Sequence, residues 1–184
     1  MNLVETILNQ QNGAAVRQIE SQFGLEPQQS RSAIEALVPA LAVGLQQNAQ
    51  SAGGLQELLA ALSSGGHEQY VEDPTMLERA ETLEDGNGIL SHVFGNKEVS
   101  RQVASRAAKQ TGLGADLLKR MLPMVATLVM GTLARRTSQA GAQGTTESGG
   151  AGGLMGLLGG ALDQNRDGSM VDDVIGILGR TLGR

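Results

Sequence analysis

A chain of 184 residues has room for one or two small domains with a real core. Aromatics make up only 2% of it, and Trp and Cys are absent, which excludes an aromatic-rich β sandwich or barrel, disulfides, thiolate catalysis and Cys-ligated metals. The net charge of −5 hides an asymmetry: residues 1–91 carry three basic against twelve acidic side chains, and residues 92–184 carry eleven against seven.

The start of the chain has no basic segment followed by a long apolar one, so no secretory signal is expected. Leu3, Val4, Ile7 and Leu8 share one face of a short helix, which Asn12-Gly13 ends. Val16, Ile19 and Phe23 continue a helical period as far as Gly24, a natural C-terminal cap, and Pro27 stands where a first helical residue is tolerated. Ile34, Leu37, Val38, Leu41 and Leu45 follow at spacings of three and four, and Gly53-Gly54-Leu55 leads into Leu58-Leu59. Residues 1–66 therefore read as a first helical repeat.

An acidic connector, 67–83, contains Asp73-Pro74 and begins at His67, in a polar stretch expected to be solvated. Asp85-Gly86 reads as a turn ahead of an apolar helix ending at Phe94-Gly95. Val99, Val103 and Ala107 form a further helix, Gly112-Leu113 a turn, and Leu117, Leu118, Met121, Val125, Leu128 and Val129 a last one. This second repeat, 84–136, echoes the first: Pro39 and Pro123 both fall inside an apolar helical pattern, where each removes a hydrogen bond and should kink the helix. Residues 137–149 are rich in Gly, Ser, Thr and Ala and read as a flexible linker.

The tail, 150–184, reads as a Gly/Leu-rich helix, an Asp/Asn loop and a short helix. Gly152, Gly156 and Gly160 form a small-residue stripe suited to close helix packing, against a second copy, a membrane surface or the chain's own core. The apolar runs 122–134 and 149–162 fall short of the ~20 residues needed to span a bilayer, so a cytoplasmic, non-spanning protein is expected. The architecture predicted from residues alone is all-α, two tandem helix–turn–helix repeats followed by this tail.

The sharpest local motif lies in the tail. Asp163, Asn165 and Asp167 place oxygen ligands at alternate positions, Gly168 supplies the sharp turn, and Ser169 offers a backbone carbonyl, as in the first half of an EF-hand or dockerin-type loop. Asp172 and Asp173 follow, but the position of the closing bidentate carboxylate holds Val174. The loop therefore reads as a weak Ca2+ site, with a turn in which Ser169 and Asp172 cap the last helix as the alternative.

The stretch Gly88-Ile89-Leu90-Ser91-His92-Val93-Phe94-Gly95, the Gly-Leu turns and the Leu-Pro helix at 121–133 resemble the bacterial YidB-like family, a domain of unknown function. The resemblance covers most of the chain, the start and the Asp/Asn/Gly-rich loop included. It implies a multihelical α fold and brings no activity or catalytic residue with it.

No Ser elbow, phosphate-cradling loop or paired His/Glu metal motif is present, and His92 reads as a packed or capping histidine. The expected class is a non-enzymatic protein-interaction module, self-associating or bound to a protein partner. Two alternatives stay open. Gly112-Leu113 with Leu118 has the spacing of a DNA-binding helix-turn-helix inside the basic segment 97–136, though the second helix is too apolar to favour nucleic acid. An enzyme with an unrecognised carboxylate site would centre on Glu68, Glu72 and Asp73.

Overall fold

The computed structural model describes residues 2–64 and 66–142. Among them every regular element is helical: α1 (Leu3–Asn9), α2 (Ala14–Phe23), α3 (Pro27–Gln50), α4 (Gly54–Ser64), α5 (Gln69–Glu72), α6 (Ala80–Phe94), α7 (Lys97–Thr111) and α8 (Ala115–Ala142). Short 3-10 turns at Gln10–Gly13 and Pro74–Glu78 link α1 to α2 and α5 to α6. The all-α prediction holds.

Local signals set most boundaries. Asn2 accepts from the Glu5 amide at 2.8 Å while the Glu5 carboxylate accepts from the Asn2 amide, a capping box that starts α1. Gly24 (φ 63°) and Gly112 (φ 74°) end α2 and α7 in the left-handed conformation that glycine adopts without a Cβ penalty. Pro27 begins α3, and Glu26 and Gln29 box its N-terminus. Asn96 caps α7 through the Val99 amide at 3.0 Å.

The fold is organised around α8. Residues 121–134 are buried without interruption, and the helix packs against every other helix. A helix that is apolar all round needs such an enclosure. The segment Ala115–Gln139 is long and apolar enough to cross a membrane, longer than the apolar run at 122–134 suggests, yet here neighbours enclose it. Its buried hydroxyls find partners within the helix, with the Thr127 hydroxyl donating to the Met124 carbonyl at 2.8 Å and Thr132 to Leu128 at 2.7 Å. Leu3, Ile7, Ile19, Ile34, Leu37 and Leu41 from the first half of the chain join it in one hydrophobic cluster.

The α2–α3 and α7–α8 pairs share their punctuation, a left-handed glycine and an internal proline (Pro39, Pro123). Their surroundings differ: α3 keeps an exposed face and α8 keeps none between 121 and 134. The helix also runs on to Ala142, so the stretch that reads as linker from Thr137 opens as helix.

Asp85-Gly86 corrects the sequence reading, since it lies inside α6 rather than at a turn. Gly86 is there for packing. A Cβ on it would stand 2.3 Å from the Pro123 carbonyl oxygen, so only glycine lets α6 cross α8 backbone to backbone. Gly131 does the same on another side of α8, where a Cβ would stand 2.5 Å from the His67 carbonyl.

Candidate functional site

That second close crossing positions the site. Residues 66–72 fold down on α8 at Gly131, burying Tyr70, Val71 and His67. His67, expected to be solvated, is only 9% exposed. Beside it, α3, α4 and α6 leave a cleft of about 470 Å³, which falls in the range of ligand pockets. Its floor is aliphatic, formed by Leu45, Leu58, Val93 and Met130, all nearly fully buried. Its rim carries the exposed carboxylates Glu57, Glu84 and Asp85, and among the described residues no Lys or Arg lines it.

Both histidines of the chain reach this cleft. His92 is exposed, and its Nδ1 lies 2.9 Å from the Gly88 carbonyl one turn earlier. Its own carbonyl accepts from Asn48 Nδ2 at 2.8 Å, tying α6 to α3. His67 is different: among the described residues its Nδ1 is the buried side-chain polar atom without a hydrogen-bond partner. Burial holds its pKa below the ordinary value, partly opposed by the Asp85 charge, so the neutral imidazole is favoured.

Tyr70 stacks obliquely near His67, ring centroids 6.2 Å apart, and its hydroxyl donates to the Asp85 carboxylate. Burial first, then that bond and the Asp85 charge, push the phenol from 10.0 up to about 12. The folded state thus holds the phenolic proton more tightly than the unfolded chain. The associated stability is complete below pH 10 and is lost as pH rises through about 12. Tyr70 is the single tyrosine and there is no Trp, so absorbance near 295 nm titrates this site alone. Asp85→Asn is expected to bring the midpoint back toward 10, with burial retaining part of the shift. An unchanged midpoint would show that Asp85 contributes nothing.

A second groove of about 470 Å³ lies across α6, between α7 and α8. It is basic, with Lys97, Arg101 and Lys119 on its walls, and Arg101 pairs with Glu98 at the surface. The charge asymmetry of the chain therefore appears in three dimensions as an acidic cleft on one side of α6 and a basic groove on the other.

The other residues singled out from sequence are placed differently. Glu68, Glu72 and Asp73 do separate work: Glu68 accepts from the Ser138 hydroxyl, the Glu72 carbonyl accepts from Gln11 at 3.0 Å, and Asp73 caps the turn at Thr75. Thr75 holds the Asp73 carboxyl below its ordinary pKa. In the segment with helix-turn-helix spacing, Leu118, Met121, Leu122 and Val125 are buried, and Arg120 lies over the Phe23 ring, 5.9 Å from its centroid. From 121 to 134 this helix has no exposed face, and its exposed positions before that run are Ala115, Asp116, Lys119 and Arg120. Asp163, Asn165, Asp167, Ser169, Asp172 and Asp173, with the whole tail, lie outside the described residues. Among the described residues no group of three or more His, Asp or Glu is placed to hold a metal ion.

Sequence reasoning missed the cleft because its lining comes from five separated segments. Part of it was on view: Gly88, Ile89, His92 and Val93, from the stretch that carries the family resemblance, line one wall. No curated protein and no solved structure matches the chain. Residues 5–136, which span α8 as far as Arg136 and every element of the cleft, match a family described as bacterial protein of unknown function (DUF937), which includes YidB, and the chain belongs to that family.

Proposed function

We propose that this protein is a non-enzymatic binding module whose working surface is the cleft between α3, α4 and α6. Its ligand is a segment of protein that combines aliphatic side chains with basic ones. The carrying observation is the cleft's composition, an aliphatic floor under a rim of Glu57, Glu84 and Asp85 with no Lys or Arg among the described residues that line it. Aliphatic side chains on the floor lose water contact, while Lys or Arg at the rim meets carboxylates without leaving solvent.

Two amphipathic peptides with the same leucine spacing, one with lysines and one with glutamates between the leucines, separate this reading from generic stickiness. The Leu/Lys peptide is expected to bind at least about tenfold more tightly than its Leu/Glu twin. Amide chemical-shift changes should concentrate at Asp85, Gly88 and Ile89. Glu57→Lys combined with Glu84→Lys should reverse the preference. Equal binding of the two peptides, or shifts centred elsewhere, would refute the assignment.

A further inference from the structure

Four residues before the described chain ends, α8 is joined to the segment that carries His67. The Ser138 hydroxyl on α8 donates to the Glu68 carboxylate, and the residue before it, His67, is part of the cleft wall. Forty-two residues follow Ala142. The last of them, 174–184, include Val174, Ile175, Ile177, Leu178 and Leu182 together with Arg180 and Arg184, and contain no acidic side chain. That is the chemistry the cleft is built to receive.

We infer that residues 174–184 dock in the cleft of their own chain, aliphatic side chains on the Leu45, Leu58 and Met130 floor and Arg180 and Arg184 against the Glu57, Glu84 and Asp85 rim. The chain then shields its own binding surface, and a partner segment must displace it. This rests on the cleft being the binding surface, as proposed above. The other apolar stretch of the tail, 152–162, contains no charged residue and so has nothing to answer the acidic rim.

Reach is no obstacle. Thirty-one residues separate Ala142 from Val174, and extended chain covers roughly 3.3–3.6 Å per residue. The entropy of closing such a loop grows only logarithmically with its length. A tethered segment also acts at an effective concentration in the millimolar range, so contacts too weak to hold a free peptide suffice in cis.

The absence of cysteine makes the test clean, because introduced thiols are unique. In the full chain, Ala60→Cys on the cleft wall is combined with Thr181→Cys. The control combines Thr181→Cys with Arg31→Cys on the exposed start of α3. Under mild oxidation the cleft pair is expected to close an intramolecular disulfide at least about tenfold faster than the control, and adding Arg180→Glu with Arg184→Glu should erase the difference. Equal rates for the two pairs, or a disulfide joining two copies, would overturn docking in cis. The Leu/Lys peptide supplies the second arm: without thiols, Arg180→Glu with Arg184→Glu is expected to raise its affinity about tenfold by removing the competitor. Equal affinity for both chains overturns the inference and leaves the cleft reading standing, whereas binding to neither overturns that reading too.

Discussion

Leu128→Ala is expected to destabilise the fold by about 2–5 kcal/mol, lowering the melting temperature by roughly 6–15 °C for a domain of this size. Leu128 is 1% exposed and sits in the middle of the fourteen-residue buried run of α8. Truncating it loses the transfer free energy of the removed carbons and leaves a cavity. The surroundings have little freedom to close it, because helices from both halves of the chain already fix α8 from every side. Leu117, in the first turn of the same helix, is half-buried and packs at the edge of the core. Leu117→Ala should cost less than half as much, since solvent fills the space it vacates. Urea unfolding followed by circular dichroism at 222 nm measures both. Similar losses at the two positions would mean that α8 is not the axis of the core.

The same helix shows what a sequence discloses and what it withholds. The junction from α2 to α3 was readable residue by residue, because Gly24 and Pro27 act through φ angles and missing hydrogen bonds that need no partner elsewhere in the chain. Gly112 was readable for the same reason. Asp85-Gly86 misled, since the pair has turn chemistry but Gly86 is chosen by a backbone 37 positions away, at Pro123. His67 misled likewise. Its neighbours are polar and small, and only the gap opened by Gly131 draws it into the interior. Glu68, Glu72 and Asp73 stand close together in sequence and yet make bonds to three different segments, while the carboxylates that do share a site, Glu57, Glu84 and Asp85, come from two helices with the connector between them. Periodicity and capping are local physics and survive in one dimension; a cleft is a relation between segments and does not.

Gly86→Ala and Gly88→Ala should therefore move stability in opposite directions although they lie two residues apart on one helix. Alanine in a helix interior is worth up to about 1 kcal/mol over glycine. At Gly88 nothing lies within 4 Å of the new Cβ, so that gain is expected in full. At Gly86 the new Cβ would stand 2.3 Å from the Pro123 carbonyl oxygen and 2.8 Å from its Cα. Those are backbone atoms of the most enclosed helix, and no side-chain rotation relieves the overlap. Either α6 or α8 must shift, which typically costs about 1–3 kcal/mol and exceeds the propensity gain when the displaced helix is packed on all sides. Paired denaturant titrations decide the matter, with a stabilised Gly88→Ala and a destabilised Gly86→Ala as the expected result. A stabilised Gly86→Ala would mean that the two helices do not meet at Pro123. Because α6 also forms a wall of the cleft, a shift at Gly86 should weaken Leu/Lys peptide binding as well, which connects the crossing at Pro123 to the surface proposed to carry the function.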